Sequence, residues 1–173
     1  CSSVEISPHP IEEMSRILAE RGVTTFFPTV VASPHEEMLR NLELLADRMN
    51  GSLPGAAASG INIEGPFINP FKRGAQQQES IVPIDLGFAG ELVAAGKGLV
   101  KVMTFAPELD RSAELVEFLV DHGVKPSMGH SVANEQQTLR AIDAGACHCT
   151  HLFNGMPPLH QREMGLSSIA LTD

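Results

Sequence analysis

The stretch VKPSMGHSVANEQQTLRAIDAGACHCTHLFN, residues 124–154, decides the fold. VKPSMGHS reads as a short strand. Asn134, followed three positions later by Gln137, is the capping-box pattern that starts a helix over EQQTLRAIDA. Gly145 stands where that helix needs a residue tolerant of a left-handed turn, and ACHCTHLFN resumes as a strand. Strand, helix and strand in succession form a βαβ unit, whose two strands lie parallel.

The same unit repeats outward. LVKVMTFAPE leads into RSAELVEFLVDH, with Asp110 as candidate cap and Gly123 as stop. INIEGPF leaves the small-residue loop SLPGAAASG, and FKRGAQQQES makes an excursion before a helix near 85–95 that Gly96 closes. VTTFFPTVV is too continuously apolar for a half-exposed edge. Before it, Ile11, Met14, Ile17 and Leu18 fall at helical spacing and Gly22 follows. After it, Ser33, Pro34 and Glu36 carry three helix-start signals. Strands are therefore expected near 23–31, 61–67, 99–106, 124–130 and 146–153, separated by helices: an α/β chain with a parallel sheet. No pair is joined by the two-residue turn of a hairpin. Periodicity leaves open whether the sheet closes into a barrel.

Composition bounds the function. The chain has 173 residues, 43% hydrophobic and 19% charged, which is too apolar for disorder. A net charge of −9 with 12 Lys+Arg offers no footprint for nucleic acid or an anionic membrane. The opening CSSVEISPHP lacks a signal layout, and no window approaches a membrane span. Trp and Tyr are absent, which argues against a lectin that stacks sugars on aromatic rings. Three cysteines, Cys1, Cys147 and Cys149, make no even disulfide framework and point to a reducing, cytoplasmic setting. The start without Met points to a processed, engineered or incomplete chain.

In parallel α/β folds chemistry collects at the carboxyl ends of the strands. Those ends carry Glu64-Gly65-Pro66, Glu108, Gly129-His130-Ser131 and Thr150-His151. Glu64, His130 and His151 make one carboxylate and two imidazoles, a set that suits Zn²⁺ or Fe²⁺ with an open position. His130 and His151 lie 21 residues apart, about one strand–helix–strand step. A plainer reading stands beside this: each His could be hydrogen-bonded structure, and Glu64 could cap a loop or pair with Lys72 or Arg73. Alternation puts Cys147 and Cys149 on one side as small core residues, with His151 on that side and His148 facing the neighbouring layer. His9, His35 and His122 lie near helix ends, where solvated or capping roles are the default. Arg162 is either an anion-binding fork or a surface partner of Glu163.

INIEGPFINPFKRGAQ, MTFAPE, GHSVA and THLFNGMPPLHQREMG together resemble the N-acetylglucosamine-6-phosphate deacetylases of the amidohydrolase superfamily. The resemblance runs from about Val23 onward. It implies that Glu64, His130 and His151 hold a divalent metal ion, Zn or Fe. It also implies that Ala75, Gln76, Asn154, Gly155 and Arg162 bind the substrate, Arg162 through its phosphate. Gln76 stands where many relatives have His, Gly155 where Ala is usual, and Met164 where Pro is common.

The resemblance further implies a (β/α)8 TIM-type barrel of which residues 1–173 supply about strands 2 to 6, a partial amidohydrolase barrel domain. The first strand with its HxH-type signature, the last strands and a terminal β-sandwich are not represented. The general-base aspartate is expected beyond Asp173, so no catalytic residue is assigned within the chain and the isolated chain is expected to be inactive. The implied reaction is hydrolysis of the acetamide of N-acetylglucosamine 6-phosphate by a cytoplasmic homodimer, with a sugar phosphate as partner and neither nucleic acid nor membrane. Two other readings stay in play: a related amidohydrolase acting on another N-acylated sugar, and a non-catalytic metal or sugar-phosphate binding module.

Overall fold

A computed structural model describes residues 11–172; Cys1, His9 and Asp173 lie outside the described residues. Among the described residues are seven short strands: β1 (Thr25–Phe26), β2 (Thr29–Val31), β3 (Ala57–Ala58), β4 (Ile61–Glu64), β5 (Val100–Phe105), β6 (Lys125–Met128) and β7 (His148–Cys149). Six α-helices accompany them: α1 (Ile11–Glu20), α2 (His35–Met49), α3 (Leu86–Ala95), α4 (Ser112–Asp121), α5 (Glu135–Asp143) and α6 (Leu166–Thr172). Strands β2-β4-β5-β6-β7 form one parallel sheet in chain order, as the βαβ repeat requires. Among the described residues this sheet does not close into a barrel, and β2 and β7 are its edges.

The stretch 23–31 splits in two because Pro28, which has no N–H for the ladder, stands between β1 and β2. Its first half pairs with β3, a strand inside the small-residue loop: the N–H groups of Ala57 and Ser59 donate to the carbonyls of Thr24 and Phe26 at 2.8 and 3.1 Å.

The two faces of the main sheet differ in chemistry. Ile61, Ile63, Met103, Phe105 and Met128 point one way and are buried against Met38 and Leu42 of α2, Leu92 of α3, and Leu115 and Leu119 of α4. Truncating one of these to Ala would cost roughly 2–5 kcal/mol. On the other face a register row runs Val31, Glu64, Thr104, Ser127, His148 across the five strands. Thr150 ties this row together, its hydroxyl 2.7 Å from that of Thr104 and 2.6 Å from that of Ser127.

Several local expectations change. The capping box on α5 is present, Asn134 and Gln137 each accepting the other's N–H at 3.0 Å. Ser33 does not cap α2; Pro34 holds the N-cap position and the Ser33 hydroxyl is buried without a partner. Asp110 does not cap α4, which starts after Arg111 in a left-handed turn at φ 66°. Of the two cysteines only Cys149 packs against the core, half-buried; Cys147 is exposed just ahead of β7, an edge strand among the described residues. His148 faces the polar row, where its Nδ1 lies 2.8 Å from the Ser127 hydroxyl.

Candidate metal and substrate site

Glu64 ends β4 on the polar face, 6% exposed. Strand alternation alone would not bring either histidine to it. Ser127 and His148 share the row with Glu64, so three residues later His130 and His151 should both point to the helix side. Instead each takes a left-handed backbone, φ 47° at His130 and 31° at His151, which turns both rings back over the polar face. Such conformations cost an L-residue of order 1–2 kcal/mol, a cost that recurs at functional sites.

The result is a tight cluster. His130 Nε2 lies 2.9 Å from Glu64 Oε1 and 3.0 Å from His151 Nε2; His151 Nε2 lies 3.9 Å from Glu64 Oε1. All three distances fall below twice a metal–ligand bond of about 2.1 Å. The proton positions are decided by the other ring nitrogens. His130 Nδ1 donates to the Lys72 carbonyl at 2.6 Å, and His151 Nδ1 donates to the Asn154 carbonyl at 3.0 Å. A carbonyl only accepts, so in the neutral rings both Nε2 atoms are lone pairs, aimed at each other and at a carboxylate. Two imidazole lone pairs and a carboxylate oxygen around one point form a donor set that fits a divalent cation such as Zn²⁺ or Fe²⁺.

Without an ion, a proton takes the place of the cation: protonated His130 donates from Nε2 to Glu64 Oε1. That bond outweighs burial at Glu64 and, with the charges of both histidines and a hydrogen bond from Gln76, holds the carboxyl below its ordinary range. Burial works against charge on His130, but the bond to Glu64, the Lys72 carbonyl and the carboxylate's charge together raise its pKa. Glu64 pairs with neither Lys72 nor Arg73; its partners are His130 and Gln76.

Glu108 proves to be a clamp. Its carboxylate accepts from Asn69 Nδ2 at 2.9 Å, Ser131 Oγ at 2.6 Å and the Val132 N–H at 2.7 Å. Asn69 in turn donates its backbone N–H to the His130 carbonyl at 2.9 Å. Three loops are thereby knotted under His130. Asn69 escaped the sequence reading; its one signal there was a cap-type residue ahead of Pro70, and its side chain does accept the Phe71 N–H.

A cavity of about 350 Å³ opens over the cluster. Its walls include Ala75, Gln76 and Asn154, together with Ser33, Asn41 and Arg73. Gly155 lies behind it, where a Cβ would sit 3.4 Å from His130 Nδ1. Arg162 is exposed and does not line this cavity; its backbone N–H donates to His160 Nδ1 at 3.3 Å.

No family model matches the chain. Individual proteins do. N-acetylglucosamine-6-phosphate deacetylase of Bacillus subtilis (strain 168) is 37% identical over 172 residues, 98% of this chain and 43% of that protein. By sequence the chain is similar, over nearly its whole length, to the N-acetylglucosamine-6-phosphate deacetylases. The backbone agrees: the crystal structure of the Mycobacterium smegmatis enzyme of that name superposes with a TM-score of 0.84 at 36% identity, over 94% of this chain and 43% of that one. N-acetylgalactosamine-6-phosphate deacetylase of Escherichia coli O157:H7 is also similar, 32% identical over 96% of this chain and 44% of that protein. The chain thus spans about two fifths of the length of these deacetylases. No described helix is long and apolar enough to cross a membrane.

Proposed function

We propose that this chain carries the metal-binding part of a cytoplasmic deacetylase that hydrolyses the acetamide of N-acetylglucosamine 6-phosphate to glucosamine 6-phosphate and acetate. The observation that carries it is the convergence of two Nε2 lone pairs on the Glu64 carboxylate in a relative of these enzymes. Glu64, His130 and His151 would hold one divalent ion, Zn or Fe. Bound there, such an ion supplies a Lewis acid that lowers the pKa of water and polarises a carbonyl. The protein's own part is to fix both histidine tautomers through Lys72 and Asn154 and to keep Glu64 and His130 apart from bulk water. Ala75, Asn154 and Gly155 would border the sugar. Gln76 stands in the same wall, with both side-chain polar atoms already engaged by the protein. An aspartate beyond Asp173 would take the proton from water and return it to the leaving amine. Arg162, outside the cavity in this chain, would meet the substrate's phosphate only across an interface or after its loop moves, and the proposal places it in a homodimer.

The test is acetate release from N-acetylglucosamine 6-phosphate by the full-length protein that contains this chain, with and without chelation, and by its Glu64→Gln variant. Turnover lost on chelation and in the variant is expected; full activity in Glu64→Gln would overturn the metal assignment. The likeness to the E. coli N-acetylgalactosamine enzyme supports a second reading, a deacetylase for that epimer. Comparing kcat/KM for the two sugar phosphates and for the unphosphorylated sugar separates these readings. Absence of turnover with metal bound would leave the binding-module reading.

A further inference from the structure

We propose that Gln76 is a positioning residue that fixes the Glu64 carboxylate for the metal ion, and that it makes no contact with the sugar. The inference rests on the metal reading above and assigns a role opposite to the substrate contact that the resemblance implies for this position.

Gln76 is 7% exposed, and both ends of its amide are engaged. Nε2 donates to Glu64 Oε1 at 3.2 Å, and Oε1 accepts the Ala32 N–H at 3.2 Å. Ala32 follows directly on β2, and Glu64 is the last residue of β4. The amide therefore bridges the ends of two neighbouring strands and ties the carboxylate to a backbone that cannot move independently of the sheet.

Two further contacts hold the bridge in place, and a glycine makes room for it. The Gln76 N–H donates to the Arg73 carbonyl at 3.2 Å. The Arg73 guanidinium donates to the Gln76 carbonyl at 2.8 Å. Gly65 passes so close that a Cβ there would lie 3.1 Å from Gln76 Oε1, so Gly65 leaves room for the amide.

The orientation of the amide is decided by its partners. A carboxylate accepts and an N–H donates, so Nε2 must face Glu64 and Oε1 must face Ala32. A flipped amide would set oxygen against oxygen and N–H against N–H. The same carboxylate oxygen takes the bond from His130, and outer contacts of this kind commonly govern ligand orientation and metal affinity. Unlike a histidine at this place, an amide has no proton to exchange near neutrality. That chemistry suits holding a carboxylate still better than polarising a reacting carbonyl.

The experiment titrates the chain with Co²⁺ alone, reading affinity and the visible d–d absorption, for the parent, Gln76→Met, Gln76→Leu and Gln76→His. Met is close to Gln in shape and removes both hydrogen bonds; Leu does so with a different shape, and thermal unfolding confirms that each is folded. The expected result is Co²⁺ binding weakened about 10–100-fold in both apolar variants, with an altered spectrum. His, which keeps an N–H donor, recovers most of the affinity. In the deacetylase assay of the full-length protein the apolar variants lower kcat while KM for the acetylated sugar phosphate stays unchanged. Parent-like Co²⁺ affinity and spectrum in both apolar variants would overturn the proposal, as would a rise in KM with metal binding intact. If the parent itself binds no Co²⁺, the metal reading fails and this proposal falls with it; if the parent binds and the variants bind equally, only the role of Gln76 is refuted.

Discussion

His130 and His151 end neighbouring strands in matching register, and both reach Glu64 through a left-handed turn. What surrounds them differs. His130 is 4% exposed and is held at three points: its ring by the Lys72 carbonyl, its own carbonyl by the Asn69 N–H, and the next residue by Glu108. The side chain of His151 is 21% exposed, and its ring nitrogen Nδ1 is met by the Asn154 carbonyl of its own loop. One ligand is built into the scaffold and the other hangs from an edge strand. A site with one fixed and one looser imidazole can preform around the fixed one and be completed by the ion, which links the uneven support to metal uptake.

Replacing each ligand in turn puts the largest strain on this comparison. His130→Ala and His151→Ala are both expected to bring Co²⁺ binding below detection. Their effects on metal-free stability should diverge. His130→Ala leaves the Lys72 carbonyl and a buried Glu64 oxygen short of a partner, at a cost of about 1–3 kcal/mol. His151→Ala should cost less than about 1 kcal/mol, since its partner Asn154 is exposed. Equal losses in chemical denaturation would show that the two loops are supported alike.

Glu108→Gln probes the clamp without touching a ligand. An amide can accept through one atom only, so at least one of the bonds from Asn69, Ser131 and Val132 is lost. Metal affinity should fall about 10-fold, at the lower end of what outer contacts contribute. NMR shifts should move at His130 and leave His151 nearly unchanged. Equal perturbation of both rings would mean that the clamp stiffens the whole face and not one ligand.

Asn154→Ala addresses the other loop. Asn154 touches His151 through its backbone carbonyl, which the substitution keeps, while its side chain borders the cavity. Co²⁺ affinity should therefore hold, and KM for the sugar phosphate should rise roughly 10-fold, the order of one lost hydrogen bond. Weakened metal binding would instead show that the Asn154 side chain shapes the loop.

These differences also explain what the residues revealed beforehand. The parallel sheet and the trio Glu64, His130 and His151 were legible because βαβ periodicity and strand-end position are local patterns. The route by which the histidines arrive was not. Alternation put His151 with the cysteines, and only the left-handed turn, a backbone property with no composition signature at His, brings it to Glu64. Glu108 was visible as a strand-end carboxylate, but its three partners come from loops far apart in sequence. Ser33 looked like a helix cap and is not one, because the chain enters α2 through Pro34 and leaves the hydroxyl buried without a partner.

Gly155→Ala gives the smallest expected effect and asks whether the two regions are independent. Gly155 belongs to the looser loop, yet it reaches the firmer one: its carbonyl accepts the Ser131 N–H at 2.9 Å. Its φ of 63° disfavours any Cβ, while the space around it is adequate, with His130 Nδ1 at 3.4 Å and the Lys72 carbonyl at 3.5 Å. Backbone strain without a clash predicts a loss of about 1 kcal/mol in stability and metal affinity close to the parent's. A loss well above about 2 kcal/mol together with weakened Co²⁺ binding would carry a different message. The new methyl group would then be pressing on the bond from His130 to Lys72, and the support of the fixed imidazole would depend on the loop of the looser one.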